Sequence, residues 1–335
     1  MSLPRIAFVA AVLSLLPRAG FAAARVPAYK GAITVEASTG RVLFADNADE
    51  VSPPASMTKL MTFAILEDEI HAGRLTIHTP ITITAADAKV AGLRDSTNVA
   101  LRAKEVFPVE ELIYAMMIPS ANDAAYAVAD AVGHGSVPAF VERMNAKARE
   151  LGMNHTTFRT PNGLPVRSHR VADGDLTTPR DFSLLCRYLL LNTDILKYTS
   201  VRTRPFGASQ RMQPYQMTNH NHLLGRIAGV DGLKTGFTNG AGFCLSTTAQ
   251  RGGRRIIVVL MGSPDTRSRD QKVAELIDRG FTTLPVFGAE GPLHAAPAAP
   301  AAAPAAVPAA PGGFSAPSRP APAGALPAIQ FTPPR

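Results

Sequence analysis

The stretch Ser56-Met57-Thr58-Lys59 is the first of three short motifs on which the fold and the chemistry of this chain depend. It is followed by Ser120-Ala121-Asn122 and then by Lys234-Thr235-Gly236. Gaps of 64 and 114 positions separate the first residues of these motifs, so no single helix or hairpin can hold them together. Each motif alone is more often a helix cap or a turn. Their ordered combination predicts an active site that is assembled by a fold.

The residues before and after the first motif favour a helix that starts at the serine. Pro53 and Pro54 hold the chain extended, and apolar residues then recur at helical spacing over residues 56–70. Ser56 is therefore expected in the first turn of a helix, with Lys59 one turn later on the same face.

The second and third motifs have equally defined surroundings. A helical pattern that begins at Val109 is stopped by Pro119, so the second motif falls on the connection to a further helix over residues 123–132. The third motif is expected at the start of a strand. The rest of the globular part is predicted to contain a hairpin around Ser38-Thr39-Gly40, strands at 81–83, 243–249 and 254–261, and helices at 136–152, 178–191 and 269–281.

The three motifs can activate a serine nucleophile. Serine attacks a carbonyl only when a base takes its proton, and Lys59 lies within reach of Ser56. Lysine can act as that base only when it is neutral, and burial together with the positive charge of Lys234 would lower its pKa. The N-terminus of the Ser56 helix offers N–H groups to a developing oxyanion. Ser120 can pass a proton towards a leaving amine, and Asn122 can orient Lys59 or the substrate.

Composition restricts the class of protein. The chain has 335 residues, 46% of them hydrophobic, and a formal net charge of +8, which suits any polyanionic neighbour. Aromatic residues make up only 6% and Trp is absent, which disfavours a single-strand nucleic-acid binder. Cys186 and Cys244 lie in apolar runs and are expected as buried free thiols, although one disulfide remains an alternative. His220 and His222 alternate without a third ligand, so neither a metal nor another cofactor is predicted.

Both ends of the chain differ in composition from its middle. Arg5, an apolar run over residues 6–16 and the small residues 22–24 predict a cleaved secretory signal peptide, since about eleven apolar residues are too few to span a ~30 Å hydrocarbon core. Twelve of the 28 prolines follow Glu290, mostly in Ala-Pro repeats, which predicts an extended disordered tail. The expected organisation is a signal peptide (1–24), a catalytic domain (25–287) and an Ala/Pro-rich tail (288–335).

The sequences around the motifs resemble one enzyme family. The segments PPASMTKLMT, MMIPSANDAA and GVDGLKTGFTNGAGFCL are similar to those of D-alanyl-D-alanine carboxypeptidases, the low-molecular-mass penicillin-binding proteins of peptidase family S11. The resemblance covers roughly residues 26–287. It implies a mixed α/β (α+β) fold of the serine β-lactamase type, with an antiparallel sheet flanked by helices and an all-helical subdomain.

The resemblance also assigns roles to single residues. It implies that Ser56 is acylated with Lys59 as its base, and that Ser120, Asn122 and Lys234 relay protons and position the substrate. The substrate-binding set implied by the family comprises Lys234, Thr235, Gly236, Phe237 and Arg269. Within it, Thr235 and Arg269 would hold the terminal carboxylate of the peptide, and the N–H groups of Ser56 and Phe237 would form the oxyanion hole.

The implied activity is removal of the terminal D-alanine from peptidoglycan stem pentapeptides in the periplasm, with β-lactam antibiotics as covalent inhibitors. Three alternatives stay open at this point: a D,D-endopeptidase of peptidoglycan cross-links, a serine β-lactamase, and a secreted wall-binding scaffold. The chain has no Glu between Glu150 and Glu275, which argues against the glutamate-dependent class of β-lactamases but leaves Asp173 or Asp175 as a candidate base.

Two departures from the family pattern bear on the mechanism and on attachment. Many members have His where this chain has Asn162, in the segment Asn162-Gly163-Leu164, so a role of that position in deacylation is not implied. Others end with a β-rich domain and an amphipathic anchoring helix, where this chain has the Ala/Pro-rich tail. Membrane association is therefore not predicted.

Overall fold

The protein contains a five-stranded antiparallel sheet and two small two-stranded sheets, in a computed structural model that describes residues 29–93, 96–166 and 168–284. The strands are β1 (Gly31–Glu36), β2 (Val42–Asp46), β3 (Pro80–Thr82), β4 (Val106–Pro108), β5 (Thr203–Phe206), β6 (Tyr215–Thr218), β7 (Val230–Thr238), β8 (Gly242–Arg251) and β9 (Arg254–Ser263). The large sheet has the order β2-β1-β9-β8-β7, so β7 is an edge strand. The two small sheets pair β3 with β4 and β5 with β6.

Eight α-helices and two short 3-10 helices occupy the described ranges. The α-helices are α1 (Lys59–His71), α2 (Ala85–Ala91), α3 (Val109–Met117), α4 (Asn122–Val132), α5 (Val137–Glu150), α6 (Pro179–Asn192), α7 (Ile195–Thr199) and α8 (Thr266–Thr283). The 3-10 helices are Ala55–Thr58 and Val171–Asp173. Among these helices none combines the length and the apolar run that a membrane crossing would need.

The sheet is buried on both faces, and in its central strand β9 the run Ile256–Met261 is apolar at every position. In β9, Ile256, Val258 and Leu260 belong to a core shared with Val273, Leu276, Ile277 and Phe281 of α8. The alternate residues Ile257, Val259 and Met261 face the larger core on the other side, where α6 packs. This pattern follows from the period of two in a strand.

Helix α1 lies at the centre of the helical part of the molecule. Its residues from Lys59 to Glu67 are all buried, and it contacts α3, α4, α5 and α6. A helix that is buried on every side must have neighbours all around it. The sheet and the helical layer therefore meet where α1 begins, and this junction positions the motifs.

The predicted fold class is confirmed: an antiparallel sheet is flanked by helices and joined to a helical subdomain. The first hairpin and the predicted helices are present, with ends that differ by one to three residues. Thr178 caps α6 through its side chain, which accepts a hydrogen bond from the backbone N–H of Asp181. Cys186 and Cys244 are both buried free thiols, as expected. The predicted signal peptide and the predicted tail lie outside the described residues.

Several elements are absent from the sequence-based prediction or displaced in it. Strand β4, helix α2, helix α7 and the β5–β6 hairpin were not expected. The strand that carries the third motif begins at Val230, so Lys234 lies in the middle of β7 and not at its start. The prediction was wrong there because Gly232 and Gly236 interrupt the run of residues with high β-propensity.

Candidate active site

Ser56 lies in a tight turn directly before the buried helix. Residues 55–58 form the 3-10 helix, and α1 starts at Lys59, so the prediction of Ser56 in a first helical turn is correct apart from the type of turn. Ala55 has a φ of 49°, a left-handed conformation that an L-residue seldom adopts. The Lys59 side chain is completely buried, and its Nζ lies 3.0 Å from Ser56 Oγ.

Two further groups surround the Lys59 amine. Its Nζ donates to Asn122 Oδ1 at 2.7 Å and to the backbone carbonyl of Asn162 at 2.8 Å. Both of these oxygens can only accept hydrogen bonds. A neutral amine has two N–H donors and one lone pair, so when both donors are used on the oxygens, the lone pair is left for the Ser56 hydroxyl. This arrangement is that of a general base beside its nucleophile.

The environment of Lys59 favours the neutral form that a base requires. Complete burial is the main cause that lowers its pKa well below the usual lysine value, and the positive charge of Lys234 lowers it further. The buried carboxyl groups of Asp123 and Asp175 act in the opposite direction. The expectation that burial and Lys234 together depress this pKa is therefore met in direction and in cause.

Asn122 is held in place by a segment that the sequence did not single out. Its Nδ2 donates to Ser96 Oγ at 2.9 Å and to the carbonyl of Thr97 at 3.0 Å, so its Oδ1 must face Lys59. The neighbouring Asp123 carboxylate accepts hydrogen bonds from the N–H groups of Val99 and Leu101. The start of α4 and the 96–101 segment thus form one unit around the amide.

Ser120 has an unusual conformation for a buried serine. Its φ is 71°, it is only 4% exposed, and its Oγ has no hydrogen-bond partner among the described residues. A buried hydroxyl without a partner costs stability, and backbone strain of this kind often occurs at functional sites. The hydroxyl is therefore available to a bound substrate.

The third motif packs directly against the turn that carries the nucleophile. A Cβ at Gly236 would lie 2.5 Å from the Pro54 carbonyl, so only glycine allows β7 to approach this closely. Lys234 is 2% exposed, and its Nζ donates to the carbonyl of Thr235 at 3.0 Å. Burial first, and then the nearby Arg269 guanidinium, lower the pKa of Lys234 to about 7.

Phe237 lies near the end of β7, and Arg269 lies close enough to Lys234 to affect its pKa. The Phe237 ring is 49% exposed and stacks on Phe243, with ring centroids 4.2 Å apart. Arg269 lies in the first turn of α8 and is only 3% exposed. Its Nε and Nη2 both donate to Asp270 Oδ1, at 2.8 and 2.7 Å. Arg269 is thus a buried cation beside the motif, not a surface arginine.

Sequence reasoning missed several groups that shape this site. The Asn162 carbonyl is a backbone atom, and no side-chain pattern marks it. Asp175 is buried and accepts hydrogen bonds from Thr58 Oγ1 at 2.8 Å and from the N–H groups of Arg159 and Thr160 at 2.6 and 2.9 Å. It therefore ties the loop that contains Asn162 to the nucleophile turn. Burial raises its pKa, partly offset by these donors.

His220 is another residue near the site, and from the sequence it was considered only as a possible metal ligand. Burial lowers its pKa to about 4, and the charges of Lys234, His222, Arg269 and Lys59 act in the same direction. The imidazole is therefore neutral over the physiological range and lies close to Lys234 and Arg269. Among the described residues no group of three or more His, Cys, Asp or Glu side chains is arranged to hold a metal ion.

A small cleft with a cavity volume of about 60 Å³ opens beside the turn that carries Ser56. Its walls come from three segments: the turn itself, the loop after Asn162, and the end of β7. The lining residues include Ala55, Gly163, Leu164, Arg170, Val171 and Thr238. A Cβ at Gly163 would lie 2.0 Å from the Ala55 carbonyl, so the loop and the turn touch backbone to backbone.

A sequence profile of the D-alanyl-D-alanine carboxypeptidase family, peptidase family S11, matches residues 22–265. The chain belongs to this family.

Individual relatives agree with this membership. The chain is 34% identical over 253 residues to the D-alanyl-D-alanine carboxypeptidase DacC of Escherichia coli, and 31% identical over 253 residues to DacF of Bacillus subtilis. These matches cover 74% and 76% of this chain but only 60% and 62% of the relatives. The structure of penicillin-binding protein D2 from Listeria monocytogenes in its ampicillin-bound form is similar with a TM-score of 0.65 and 30% identity, over 76% of this chain and 97% of that one.

Proposed function

We propose that this protein is a serine D-alanyl-D-alanine carboxypeptidase that removes the terminal D-alanine from peptidoglycan stem peptides through an acyl-Ser56 intermediate. The observation that carries the proposal is the position of the Lys59 amine. It lies between one hydroxyl and two acceptor-only oxygens, which is the geometry that a neutral general base needs. Membership of the family supports the same reading.

In the acylation step, Ser56 Oγ attacks the carbonyl carbon of the penultimate D-alanine while Lys59 takes the hydroxyl proton. The C–N bond to the terminal D-alanine then breaks, and the leaving amine receives a proton by way of Ser120 or Lys59. The N–H groups of Ser56 and Phe237 would stabilise the oxyanion. Water then attacks the acyl-serine ester, releases the shortened peptide and returns the proton to Ser56.

Substrate selection is proposed to use the cations at the end of β7. Thr235 and Arg269 would hold the terminal carboxylate, because a guanidinium pairs with a carboxylate through two hydrogen bonds. Lys234 and Asn122 would position the peptide between β7 and the start of α4. As an edge strand, β7 can also accept an extended peptide through its free backbone groups.

A serine β-lactamase is the main competing function, and the surroundings of Asp175 weigh against it. A β-lactamase needs a base that activates water at the acyl-serine. Asp175 is 4% exposed, and its carboxylate oxygens accept from Thr58, Arg159 and Thr160. Asp173 is more exposed and lies 4.0 Å from Arg170 in an ion pair. We propose that β-lactams form long-lived adducts on Ser56, in line with the ampicillin-bound relative.

The decisive experiment labels the protein with a fluorescent penicillin and maps the modified residue. We expect one stable adduct on Ser56, D-alanine release from a stem pentapeptide, and loss of both in Ser56→Ala. Cross-linked peptide dimers tested in parallel would reveal an endopeptidase instead. Rapid turnover of a chromogenic β-lactam, or full activity of Ser56→Ala, would contradict the proposal.

We further propose the domain organisation that the sequence suggests: a signal peptide (1–24), a catalytic domain (25–287) and an Ala/Pro-rich tail (288–335) that acts as a spacer. A signal peptide would direct the enzyme to the periplasm, where stem peptides are found. Mass spectrometry of the mature protein tests this organisation, with cleavage near Ala24 as the expected result.

A further inference from the structure

Arg269 is a buried cation whose guanidinium group is held by a single carboxylate. Both Nε and Nη2 donate to Asp270 Oδ1, and Nη1 donates to no described residue. The second carboxylate oxygen, Asp270 Oδ2, lies 3.2 Å from His222 Nδ1. One side of the guanidinium group is therefore occupied by Asp270, and the other side is left for a ligand.

The charges around Arg269 make this contact necessary for its position. Arg269 is 3% exposed and close enough to Lys234 to lower the pKa of that amine. Lys59 is also buried, and burial together with Lys234 lowers its pKa, which favours its neutral form. A guanidinium without a hydrogen-bond acceptor in such a place would be poorly solvated, so it would turn towards solvent.

The loop that carries His222 is itself fixed. Asn219 Nδ2 donates to the carbonyls of Thr199 and Val201, at 3.1 and 3.0 Å. Asn221 Nδ2 donates to the carbonyl of Gly232 at 3.1 Å, which fastens the loop to β7. His222 therefore approaches Asp270 from a rigid support, and the carboxylate is held between two groups of fixed position.

We propose that Asp270 is a positioning residue for carboxylate recognition: it holds the Arg269 guanidinium so that Nη1 faces the terminal carboxylate of the substrate. This inference rests on the proposed function, in which Arg269 binds that carboxylate. Asp270 touches neither the substrate nor the reacting atoms. Its effect is specific to ligands that carry the carboxylate, because it acts only through Arg269.

Two thioester substrates with the same acyl-D-alanyl group provide the test. One has a thioglycolate leaving group, which carries a carboxylate, and the other has a neutral ethanethiol leaving group. The measured quantity is the ratio of kcat/KM for the two. In Asp270→Ala we expect this ratio to fall about 10-fold, the scale of one charge-assisted hydrogen bond, mainly through a higher KM for the thioglycolate.

Two further variants separate positioning from other effects. Asp270→Asn keeps an acceptor oxygen without the charge, so the ratio should stay within about 3-fold of wild type. Asp278→Ala removes another aspartate of α8 that binds an arginine, Arg251, and it should leave the ratio unchanged. A fall in Asp270→Asn as large as in Asp270→Ala, or an equal fall in Asp278→Ala, would overturn the inference.

The failure of the inference and that of the proposed function have different signatures. Hydrolysis of the neutral thioester by the wild-type enzyme tests acyl-serine chemistry alone, and its absence would overturn the proposed function. Equal kcat/KM for both thioesters in wild type would overturn carboxylate recognition and the inference with it. An unchanged ratio in a folded Asp270→Ala protein would overturn the inference only.

Discussion

Lys59, Lys234 and Arg269 are three buried basic side chains, and the positive charge of one acts on the pKa of the next. Arg269 lowers the pKa of Lys234, and Lys234 lowers the pKa of Lys59. Burial is the larger cause at both lysines. The proposed base is therefore kept neutral by burial and by cations that are also proposed to bind the substrate.

Removing the second of these cations should move the pH profile. A Lys59 pKa that is depressed in the folded protein means that the neutral base is lost as pH falls through that pKa. Lys234→Gln removes a cause of the depression, so the pKa of Lys59 rises and the acid limb of acylation moves to higher pH. The acylation rate should also fall about 100-fold, the scale for loss of a preorganised charge. The measurement is penicillin acylation from pH 5 to 10.

The matched control for this prediction is Lys197→Gln. Lys197 is a largely exposed lysine that pairs with Glu110, away from the cleft. Its removal should change neither the acylation rate nor the pH of the acid limb. If the acid limb lay at the same pH in Lys234→Gln as in the wild type, the charge of Lys234 would have no effect on the pKa of Lys59.

Ser120 offers a test in which stability and activity move apart. Its buried Oγ has no partner among the described residues, so Ser120→Ala removes no hydrogen bond of the resting enzyme. We expect Tm to stay unchanged or to rise slightly, because an unsatisfied buried hydroxyl is lost. Acylation should fall about 100-fold if the hydroxyl relays a proton. A clear drop in Tm would show instead that Ser120 is a structural residue.

The residues of the three motifs were predictable because each motif is short and continuous in the sequence, and because the three occur in a specific order. A serine and a lysine three positions apart on a helix must share a face, whatever the rest of the chain does. Asn122 was also expected to orient Lys59, but the backbone partners in the site were not predictable in the same way. Asn162 contributes a backbone carbonyl to Lys59 from 103 positions away, and Thr97 contributes one to Asn122 from 25 positions away. Such contacts depend on how loops pack, for which a single sequence has no signature.

At the scale of elements, the loop after Pro161 and the nucleophile turn act as one packed unit. Gly163 has a φ of 81°, and a Cβ there would lie 2.0 Å from the Ala55 carbonyl. Gly163→Ala should therefore push the loop away from Ser56 and displace the Asn162 carbonyl from Lys59. We expect loss of most penicillin acylation, measured by labelling. We also expect a fall in stability, measured by thermal denaturation.

A second glycine provides a control that separates the effect of backbone strain from that of a steric clash. Gly152 has a φ of 76°, but a Cβ there would meet nothing within 4 Å. Gly152→Ala should cost about 1 to 2 kcal/mol through the left-handed conformation alone and leave acylation intact. Equal activity in the two glycine variants would contradict the proposed coupling of loop and turn.

Two elements show where the sequence-based assignment fell short. Helix α2 has a capping box, in which Thr84 and Asp87 each bond the other's backbone N–H, and the spacing Thr-x-x-Asp could have indicated it. The β5–β6 hairpin had no comparable signal. Its strands are only four residues each, and Pro205 lies inside the first of them, which weakens any strand pattern.

At the scale of the whole molecule, the catalytic fold should not need the Ala/Pro-rich segment. Helix α8 ends at Thr283, and Leu284 is buried, with its carbonyl accepting a hydrogen bond from Arg254 at 3.0 Å. A protein that ends at residue 287 is expected to keep its Tm within about 2 °C and its D-alanine release unchanged, because every buried residue in the described part of the chain is retained. Differential scanning calorimetry and a D-alanine assay measure both.

A shorter truncation supplies the contrast. Ending the chain at residue 280 removes Phe281 and Leu284, which belong to the core between α8 and the sheet. Loss of a buried Phe alone costs roughly 3 to 5 kcal/mol, so this protein should be strongly destabilised. If the longer truncation also failed to fold, the proposed boundary at residue 287 would be wrong.

The burial of Lys59 has a consequence for the order of events when the protein is made. In an unfolded chain a lysine has a pKa of about 10.4 and is protonated at neutral pH, so it cannot take a proton from Ser56. The strand that carries Lys234 is synthesised long after Ser56. A Ser56 that depends on Lys59 as its base, as proposed above, should therefore be unreactive in the growing chain until the fold has buried Lys59 and brought Lys234 near it.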